Sequence, residues 1–424
     1  MGWSKAQLAD LCEVFTDGDW IESKSQSSEG VRLIQTGNVG EGKFKNRPDK
    51  SRFISEETFD QLKCCEIFEG DCLVSRLPDP VGRSCILPKS EDRMITAVDC
   101  TILRFKKDKL IPEFFNYFSQ SSIYLNKVES LTSGATRKRI SRKNLGLVDI
   151  PTPPISEQKR IVDILDQAFA DIEQACAKTE QNLKNARELF ESYLQQAFSN
   201  QIDNCMVRSM SDKTLLTMID GDRGKNYPKK SEFLSEGHCL FLSTKNVRSD
   251  GFLFEQKMFI DEELDSLLRK GKLERNDVVL TTRGTIGNLA LYDDTVDYEN
   301  IRINSGMLIL RPNVAEILPS YLFEIMRSEI IRSQIEAKVS GAAQPQLPVN
   351  TLNTFTFPVP QLLGDQLKAV ELIREAEVTI KKLIRIYNDK LASLGELKKS
   401  ILQKAFSGEL TKTLEGETSK GAVA

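Results

Sequence analysis

The chain has 424 residues, of which 40% are hydrophobic and 28% are charged, and its formal net charge is −3. This length predicts two to four domains, and the composition excludes a disordered or fibrous protein and indicates a globular one without a membrane span. Because His238 is the only histidine and the nine cysteines contain no Cys-x-x-Cys pair, the sequence argues against a zinc site or a histidine-dependent nucleophile and predicts reduced thiols in a cytoplasmic protein.

The first predicted elements have counterparts in the second half of the chain. Residues 33–39 read LIQTGNV, and residues 241–247 read FLSTKNV. Farther along, the segments GDCLVSR and VGRSCIL within 70–87 match NDVVLTTRGTIGNLAL at 276–291, and each predicts a strand, a loop of small polar residues and a second strand. Since the matched segments keep the same order and are spaced by about half the chain length, the sequence predicts a tandem duplication.

Each copy combines a mixed strand-and-helix globular part, which we call the head, with a long helix. Prolines mark the junction between them, at Pro151, Pro153 and Pro154 in the first copy and at Pro358 and Pro360 in the second, because proline ends the preceding element and fixes an extended entry. The predicted segments are a first head at 1–154, a first helix at 155–203, a second head at 204–362, a second helix at 363–410 and a disordered tail at 411–424.

The two helical segments show the most regular pattern in the chain. Their apolar positions recur at steps of three and four residues, which is typical of a coiled coil. Each helix could instead cover its own head, but the matching patterns favour packing of the two helices on each other. Run antiparallel, they would separate two α/β (α+β) heads related by a pseudo-twofold axis. The predicted contact positions are Ile161, Leu165, Ala168, Ile172, Ala175, Thr179, Leu183, Ala186, Leu189, Tyr193, Ala197, Ala369, Ile373, Ala376, Ile380, Leu383, Tyr387, Leu391, Leu394, Leu397, Ile401 and Ala405.

Loops of both heads carry residues suited to nucleic acid. Residues 132–144 read TSGATRKRISRKN, a basic run without an acid, whereas the corresponding loop of the second copy carries glutamines. Arginine favours phosphate or guanine, and glutamine can bind adenine edges. Any single loop could be a solvated turn, but recurrence at equivalent places favours binding. The predicted DNA-binding residues are Thr36, Asn38, Arg76, Arg83, Thr136, Arg137, Lys138, Arg139, Arg142, Lys143, Thr244, Lys245, Asn246, Thr282, Arg283, Thr285, Gln344 and Gln346.

Motifs for catalysis are missing from the sequence. It has no Gly-x-x-x-x-Gly-Lys phosphate loop, no Asn/Asp-Pro-Pro-aromatic motif of an adenine methyltransferase and no acid pattern for metal-dependent cleavage. We therefore expect no catalytic residue, no metal site and no cofactor bound by this chain. Because a net negative charge opposes phosphate binding, we also expect a partner protein to assist any contact with DNA.

Three stretches resemble the specificity (S) subunit of type I restriction-modification systems. They are DIPTPPISEQKRIVDILDQAFADIE at 149–173, TTRGTIGN at 281–288 and LKKSILQKAFSGELT at 397–411. The resemblance implies that the heads are target recognition domains, that each binds one half of a gapped double-stranded DNA site, and that the helices are spacers that set the gap and dock two methyltransferase subunits. It further implies that restriction subunits join the complex, with S-adenosylmethionine, magnesium and ATP on the partner subunits.

The same resemblance implies a partner-binding site where each helix begins. The predicted residues are Glu157, Gln158, Lys159, Arg160, Gln366 and Lys368. Two other functions fit the residues. The chain could be a scaffold whose two heads bind proteins, or it could be the recognition part of a fused methyltransferase or nuclease.

Overall fold

A computed structural model describes residues 3–134, 137–199, 205–249, 251–339 and 346–410. The chain divides into two compact units. Unit 1 combines Met1–Glu180 with Asp389–Ala424, and unit 2 is Gln181–Asn388. Each unit therefore contains one head, and each long helix contributes one part to each unit. The predicted tail at 411–424 lies outside the described residues.

The head of unit 1 is built on two four-stranded sheets. Their strand orders are β2-β9-β6-β7 and β4-β3-β8-β5, and only the β3–β8 pair among these strands is parallel. The strands are β1 (Lys5–Gln7), β2 (Cys12–Asp17), β3 (Val31–Ile34), β4 (Phe53–Ile54), β5 (Glu66–Ile67), β6 (Cys72–Ser75), β7 (Ser84–Ile86), β8 (Met94–Thr96), β9 (Cys100–Phe105) and β10 (Asp149–Pro151). The helices are α1 (Glu56–Leu62), α2 (Pro112–Phe118), α3 (Ser122–Ser130), α4 (Arg142–Gly146) and the long α5 (Ile155–Ser199).

The head of unit 2 follows the same plan, which confirms the predicted duplication. Its larger sheets have the orders β12-β20-β17-β18 and β16-β13-β19, with β13 and β19 parallel. The strands are β11 (Cys205–Ser209), β12 (Leu216–Asp220), β13 (Cys239–Leu242), β14 (Val247–Arg248), β15 (Gly251–Phe252), β16 (Phe259–Ile260), β17 (Val278–Thr281), β18 (Leu289–Leu291), β19 (Ile301–Ile303), β20 (Met307–Pro312) and β21 (Thr356–Pro360). The helices are α6 (Glu262–Leu267), α7 (Pro319–Met326), α8 (Glu329–Val339), α9 (Val349–Leu352) and the long α10 (Leu363–Ser407).

The core of unit 1 combines its head with both long helices. Near its beginning, α5 buries Ile161 and Leu165, and near its end α10 buries Leu402 and Phe406 in the same cluster. Farther from these ends, the ammonium of Lys398 lies 4.5 Å from the ring centroid of Phe169. Within unit 1, the first turns of α5 therefore lie beside the last turns of α10.

The core of unit 2 shows the reciprocal arrangement. Here the end of α5 buries Leu194 and Phe198, and the beginning of α10 buries Ala369, Val370 and Ile373 with them. Since the beginning of one helix meets the end of the other in both units, the two helices run antiparallel, as predicted.

Several of the predicted helix contact positions are exposed instead. Leu189 and Tyr193 of α5 and Leu397 of α10 are about half exposed, whereas Leu194 and Phe198 are buried. The prediction was wrong at these positions because a helix that packs on both a partner helix and a head buries two faces. A heptad pattern describes only one of them.

Candidate nucleic-acid interface

In unit 1, strands β2, β6 and β9 meet at one edge of their sheet. Asp17 ends β2 and pairs with Thr101 near the start of β9, and Ser75 ends β6 and pairs with Cys100. We call this place the strand-end edge of unit 1. The corresponding edge of unit 2 lies where Asp220 ends β12 and Thr281 ends β17. Loops leave the sheet at both edges, and the predicted DNA-binding arginines lie in or beside these loops.

Arg76 directly follows β6 and lies at the strand-end edge of unit 1. Its side chain pairs with the Asp17 carboxylate at 3.4 Å, and its Nη2 also donates to the Val98 carbonyl. Arg76 is only 5% exposed, and its Nε has no hydrogen-bond partner among the described residues. Burial lowers the pKa of its guanidinium, as does nearby Arg139, while Asp17 raises it. The edge thus contains a buried cation with an unused donor.

Two further predicted arginines lie close to the same edge. Arg139 Nη2 lies 3.0 Å from the Asp99 carboxylate, and Arg142 Nη1 donates to the Thr16 hydroxyl at 3.2 Å. The backbones of Ser133 and Arg139 exchange two hydrogen bonds, so the basic residue Arg139 is held beside the end of the segment that follows α3. The structure therefore brings Arg76, Arg139 and Arg142 together. Arg139 and Arg142 are exposed and can contact phosphates or guanine edges, whereas the prediction that Arg76 contacts DNA does not agree with its burial.

In unit 2 the strand-end edge is a cleft of about 200 Å³. Its lining includes three predicted residues, Thr282, Arg283 and Gln346, and the backbones of Arg283 and Gln346 pair as an isolated bridge. It also includes Asp220 and Arg223, which were not among the predicted residues. The sequence does carry a signal near them, since each copy reads Asp-Gly-Asp at the end of the same strand, at 17–19 and 220–222.

The backbone attaches the variable loop to the edge in the same way in both units. Ile140 N donates to the carbonyl of Arg76 at 3.2 Å, and Leu347 N donates to the carbonyl of Thr282 at 3.0 Å. Arg139 and Gln346, which precede the two donors, therefore occupy equivalent places. The two heads thus present a long cation and a neutral amide at the same position of one framework.

Arg83 was predicted to bind DNA, but the structure gives it another role. It is buried, and its guanidinium donates at 2.6 to 3.1 Å to the backbone carbonyls of Thr36, Val39, Leu77, Pro78 and Pro80. Burial lowers the pKa of this guanidinium. Because its donors are used inside the protein, Arg83 joins two loops of the edge rather than contacting a ligand.

Replacing Arg83 with methionine should therefore destabilise unit 1. The change leaves five buried or partly buried carbonyls without their donor, and we expect a loss of about 3 kcal/mol in the free energy of unfolding. Hydrogen exchange should accelerate at residues 36–39 and 77–80. Lys143→Met, a change of an exposed cation in the same unit, is the matched control and should leave exchange unchanged. Unaltered protection of both loops in Arg83→Met would contradict this role.

Asn38 and Asn246, which occupy matched positions in the two copies, hold backbone turns together. Asn38 Oδ1 accepts from Gln35 N and its Nδ2 donates to Lys45 O, both at 3.0 Å. Buried Asn246 likewise accepts from Ser243 N at 2.9 Å, and its Nδ2 donates to two carbonyls. Both amides thus close a turn, and the prediction that Asn246 contacts DNA does not agree with its burial.

The remaining predicted DNA-binding residues differ in exposure. Lys138 is exposed and pairs with Glu129 at 2.7 Å. Thr36 and Thr244 are half-buried, and the hydroxyl of Thr282 donates to the carbonyl of Gly306 at 3.1 Å. Four others are exposed: Arg137, Lys143, Lys245 and Thr285. Thr136 and Gln344 lie outside the described residues.

Comparison with known proteins finds one family. Residues 1–183 match the type I restriction modification DNA specificity domain. The chain is also 26% identical to the StySPI specificity subunit of Salmonella potsdam, over 97% of this chain and 89% of that protein. The first 183 residues thus match a DNA specificity domain, and nearly the whole chain is similar to a type I specificity subunit. The EcoBI specificity subunit of Escherichia coli is 23% identical over 76% of this chain and 70% of its own length.

Solved structures show the same fold as this chain. One chain, from work on the complex assembly and conformational transition of the type I R-M system, gives a TM-score of 0.77 at 17% identity and covers 96% of this chain and 98% of its own. The HsdS subunit from Thermoanaerobacter tengcongensis gives a TM-score of 0.59 at 18% identity, covering 96% and 97%. The α/β heads and long antiparallel helices are thus a fold shared with these subunits.

One buried glutamine connects each head to the long helix that follows it. Gln158 Oε1 accepts from Ile111 N at 3.0 Å, and its Nε2 donates to the carbonyls of Lys109 and Pro153 at 2.9 Å. Gln366 does the same in unit 2, with Leu318 N as donor at 2.8 Å and the carbonyls of Glu316 and Pro360 as acceptors at 2.9 Å. Both glutamines are fully buried, so the prediction that they bind a partner does not agree with their position.

The other predicted partner-binding residues lie at the surface or near it. Arg160 lies 3.9 Å from Glu157, and Lys368 pairs with Asp365 at 3.0 Å; Lys159 is exposed. Unit 2 also has a groove of about 500 Å³ between the end of α5 and the beginning of α10. Its apolar lining is Leu189, Tyr193, Ala197, Leu372, Ala376, Ile380 and Leu383.

The described part of the chain contains no group of three or more histidine, cysteine, aspartate or glutamate side chains placed to hold a metal ion. None of its described helices has the length and hydropathy needed to cross a bilayer.

Proposed function

We propose that this chain is the specificity subunit of a type I restriction-modification system, and that each of its heads binds one half of a gapped double-stranded DNA site. The observation that carries the proposal is the strand-end edge, which occurs twice on one backbone framework with different side chains. Unit 1 offers Arg139 and Arg142, with Arg76 buried beside them, and unit 2 offers Arg283 and Gln346. Two similar frameworks with different contact groups are what two unequal half-sites require.

We further propose that the long helices set the gap and dock two methyltransferase subunits. Each helix has 45 residues in the structure, which corresponds to about 68 Å at 1.5 Å per residue. The apolar groove beside Leu189 and Leu372 supports docking of a protein. In this proposal the chain itself is not catalytic, restriction subunits complete the complex, and S-adenosylmethionine, magnesium and ATP are bound by the partners.

A genome-wide map of methylated bases tests this function. The map from a host that expresses this chain with its methyltransferase partner is compared with one from a host that lacks only this chain. We expect a two-part motif with a constant gap that disappears with the chain. Identical maps, with active methyltransferase present, would instead support a protein-binding scaffold. Methyl transfer to DNA by the purified chain alone would contradict a non-catalytic role.

Arg283→Ala should relax the second half-site alone. Arg283 is exposed in the cleft of unit 2, and one lost base contact costs about 1–3 kcal/mol of discrimination. The same methylation map should show degeneracy at one position of one half-site, with the gap and the other half-site unchanged. Arg332→Ala, which changes an arginine 3.3 Å from Glu191 on α5, is the control and should keep the full motif. An intact motif in Arg283→Ala would remove Arg283 from the interface.

A further inference from the structure

The dipeptide that follows β2 and β12 aligns the two heads residue by residue. A Cβ atom on Gly18 would lie 2.3 Å from the carbonyl oxygen of Thr96, and one on Gly221 would lie 2.2 Å from that of Asn304. Real Cβ atoms do not approach so closely, so glycine is required in both places because the backbone of a neighbouring strand segment passes there. Gly18 and Gly221 are therefore equivalent positions.

The next residue confirms this alignment. Asp19 Oδ2 accepts from the backbone nitrogen of Cys65 at 3.0 Å, and Asp222 Oδ2 accepts from that of Arg269 at 2.8 Å. Two successive residues thus make the same kinds of contact in both heads. The residue after them is Trp20 in unit 1 and Arg223 in unit 2. These two residues therefore occupy equivalent backbone positions in the two heads.

Arg223 shows what lies at that place in unit 2. Its Nη2 lies 3.3 Å from the Asp220 carboxylate and 3.4 Å from the carbonyl oxygen of Ser305, and it lines the cleft with Arg283 and Gln346. The residue after the strand end is therefore part of the candidate interface of unit 2.

In unit 1 a different residue supplies the equivalent guanidinium. Arg76 contacts the strand-end carboxylate of Asp17 and the carbonyl of Val98. Asp17 corresponds to Asp220, because each ends its strand. Val98 corresponds to Ser305, because the residue after each accepts a backbone hydrogen bond at its carbonyl: Asp99 from Arg76 N and Gly306 from Thr282 N. Because Arg76 already pairs with Asp17 in unit 1, the residue at position 20 is not needed for that ion pair.

The residue at this position, Trp20, is unusually exposed to solvent. It is 72% exposed, whereas tryptophan is highly buried on average. Its neighbour Asp19 accepts at its carbonyl from Val98 N at 3.0 Å, and the carbonyl of Val98 accepts from Arg76. Trp20 therefore directly follows a residue that is bonded to the same backbone segment as the buried cation, and its indole is exposed to solvent.

We propose that Trp20 is a specificity-determining residue of the first half-site, and that its indole makes an apolar contact with a base of duplex DNA. The inference rests on the proposed function, since it presumes that the strand-end edges face DNA. Apolar side chains distinguish thymine by its methyl group or pack against a base step, and neither contact needs a hydrogen bond. Unit 1 would thus use an indole where unit 2 uses a guanidinium.

The first test is the methylation map of Trp20→Ala in the complete complex. We expect discrimination at one position of the first half-site to fall roughly tenfold, with the second half-site and the gap unchanged. Trp20→Phe, which retains an apolar ring, should keep part of that discrimination. The matched control is Phe68→Ala, because Phe68 is another exposed aromatic of unit 1 that precedes β6, at the opposite end of that strand from Arg76.

A direct readout does not depend on methylation. The chain has two tryptophans, Trp3 and Trp20, so 5-fluorotryptophan labelling gives two fluorine resonances that Trp3→Phe assigns. Duplex DNA that contains the site, added to a complex assembled from the labelled chain and unlabelled methyltransferase partner, should shift the Trp20 resonance and leave that of Trp3 in place. A stationary Trp20 resonance, an unchanged first half-site in Trp20→Ala, or loss of both half-sites would overturn the proposal. If no motif depends on the chain at all, the proposed function fails instead.

Discussion

Phe406→Ala should destabilise unit 1 by about 3–5 kcal/mol, although Phe406 belongs to the last helix of the chain. Phe406 is 6% exposed, and its ring centroid lies 5.3 Å from that of Phe114 and 5.1 Å from that of Phe118, both edge-on. Truncation leaves a cavity between α10 and α2 and removes both aromatic contacts. Hydrogen exchange followed by mass spectrometry should show faster exchange in α2 and in the first turns of α5.

Phe198→Ala is the matched variant in unit 2. Phe198 ends α5 as Phe406 ends α10, and its ring centroid lies 5.6 Å from that of Tyr321. We expect faster exchange in α7 and in the first turns of α10 for this variant. If Phe406→Ala loosened α7 while α2 kept its protection, the assignment of the end of α10 to the core of unit 1 would be wrong.

Arg311→Ala should destabilise unit 2 by about 3–5 kcal/mol at neutral pH. The Asp277 carboxylate is 1% exposed and accepts from Arg311 Nε at 2.9 Å and from Nη2 at 2.8 Å. Without the guanidinium, a buried carboxylate remains with much less compensation. Arg104 and Asp71 form the same two-bond pair in unit 1, at 2.8 and 2.6 Å, so Arg104→Ala is expected to affect unit 1 instead.

The loss in Arg311→Ala should depend on pH. Burial raises the pKa of Asp277, while the hydrogen bonds from Arg311 lower it. Removing Arg311 therefore raises this pKa further above its value in the unfolded chain. Because the folded state then binds the proton more tightly than the unfolded state does, stability falls as the pH rises through the folded pKa and returns on acidification. Urea unfolding at pH 5 and pH 8 measures this difference, and equal losses at both would contradict it.

The long-range organisation of the molecule could be predicted because it depends on repetition. The proline junctions and the periodic helices occur twice in the sequence, and the structure has α5 and α10 with 45 residues each. The burial of Gln158 and Gln366 could not be predicted in the same way. Glutamine is usually exposed, and its burial here is satisfied by backbone groups from segments about 50 residues away, as in the contact of Gln158 with Ile111.

The candidate site was predictable in type but not in detail. Arg76 and Arg283 stand out in the sequence as arginines in loops with small polar residues, yet Arg83 has the same surroundings and is bound to five carbonyls. Trp20 and Arg223 were missed because equivalent guanidiniums come from different chain positions, Arg76 in one head and Arg223 in the other. Whether such an arginine binds backbone carbonyls inside the protein or lines the candidate interface depends on its neighbours in space, which the sequence does not give.

The division into units has a consequence for biosynthesis. Unit 2 is continuous in sequence, whereas unit 1 needs the end of α10 to cover Phe114 and Phe118. The ribosome makes roughly 250 residues between the end of β10 and Leu402, which takes roughly 12–50 s at roughly 5–20 residues per second. The nascent first head must therefore wait with an uncovered apolar patch while the second head is completed. It is the part of the chain that a ribosome-associated chaperone would be expected to shield.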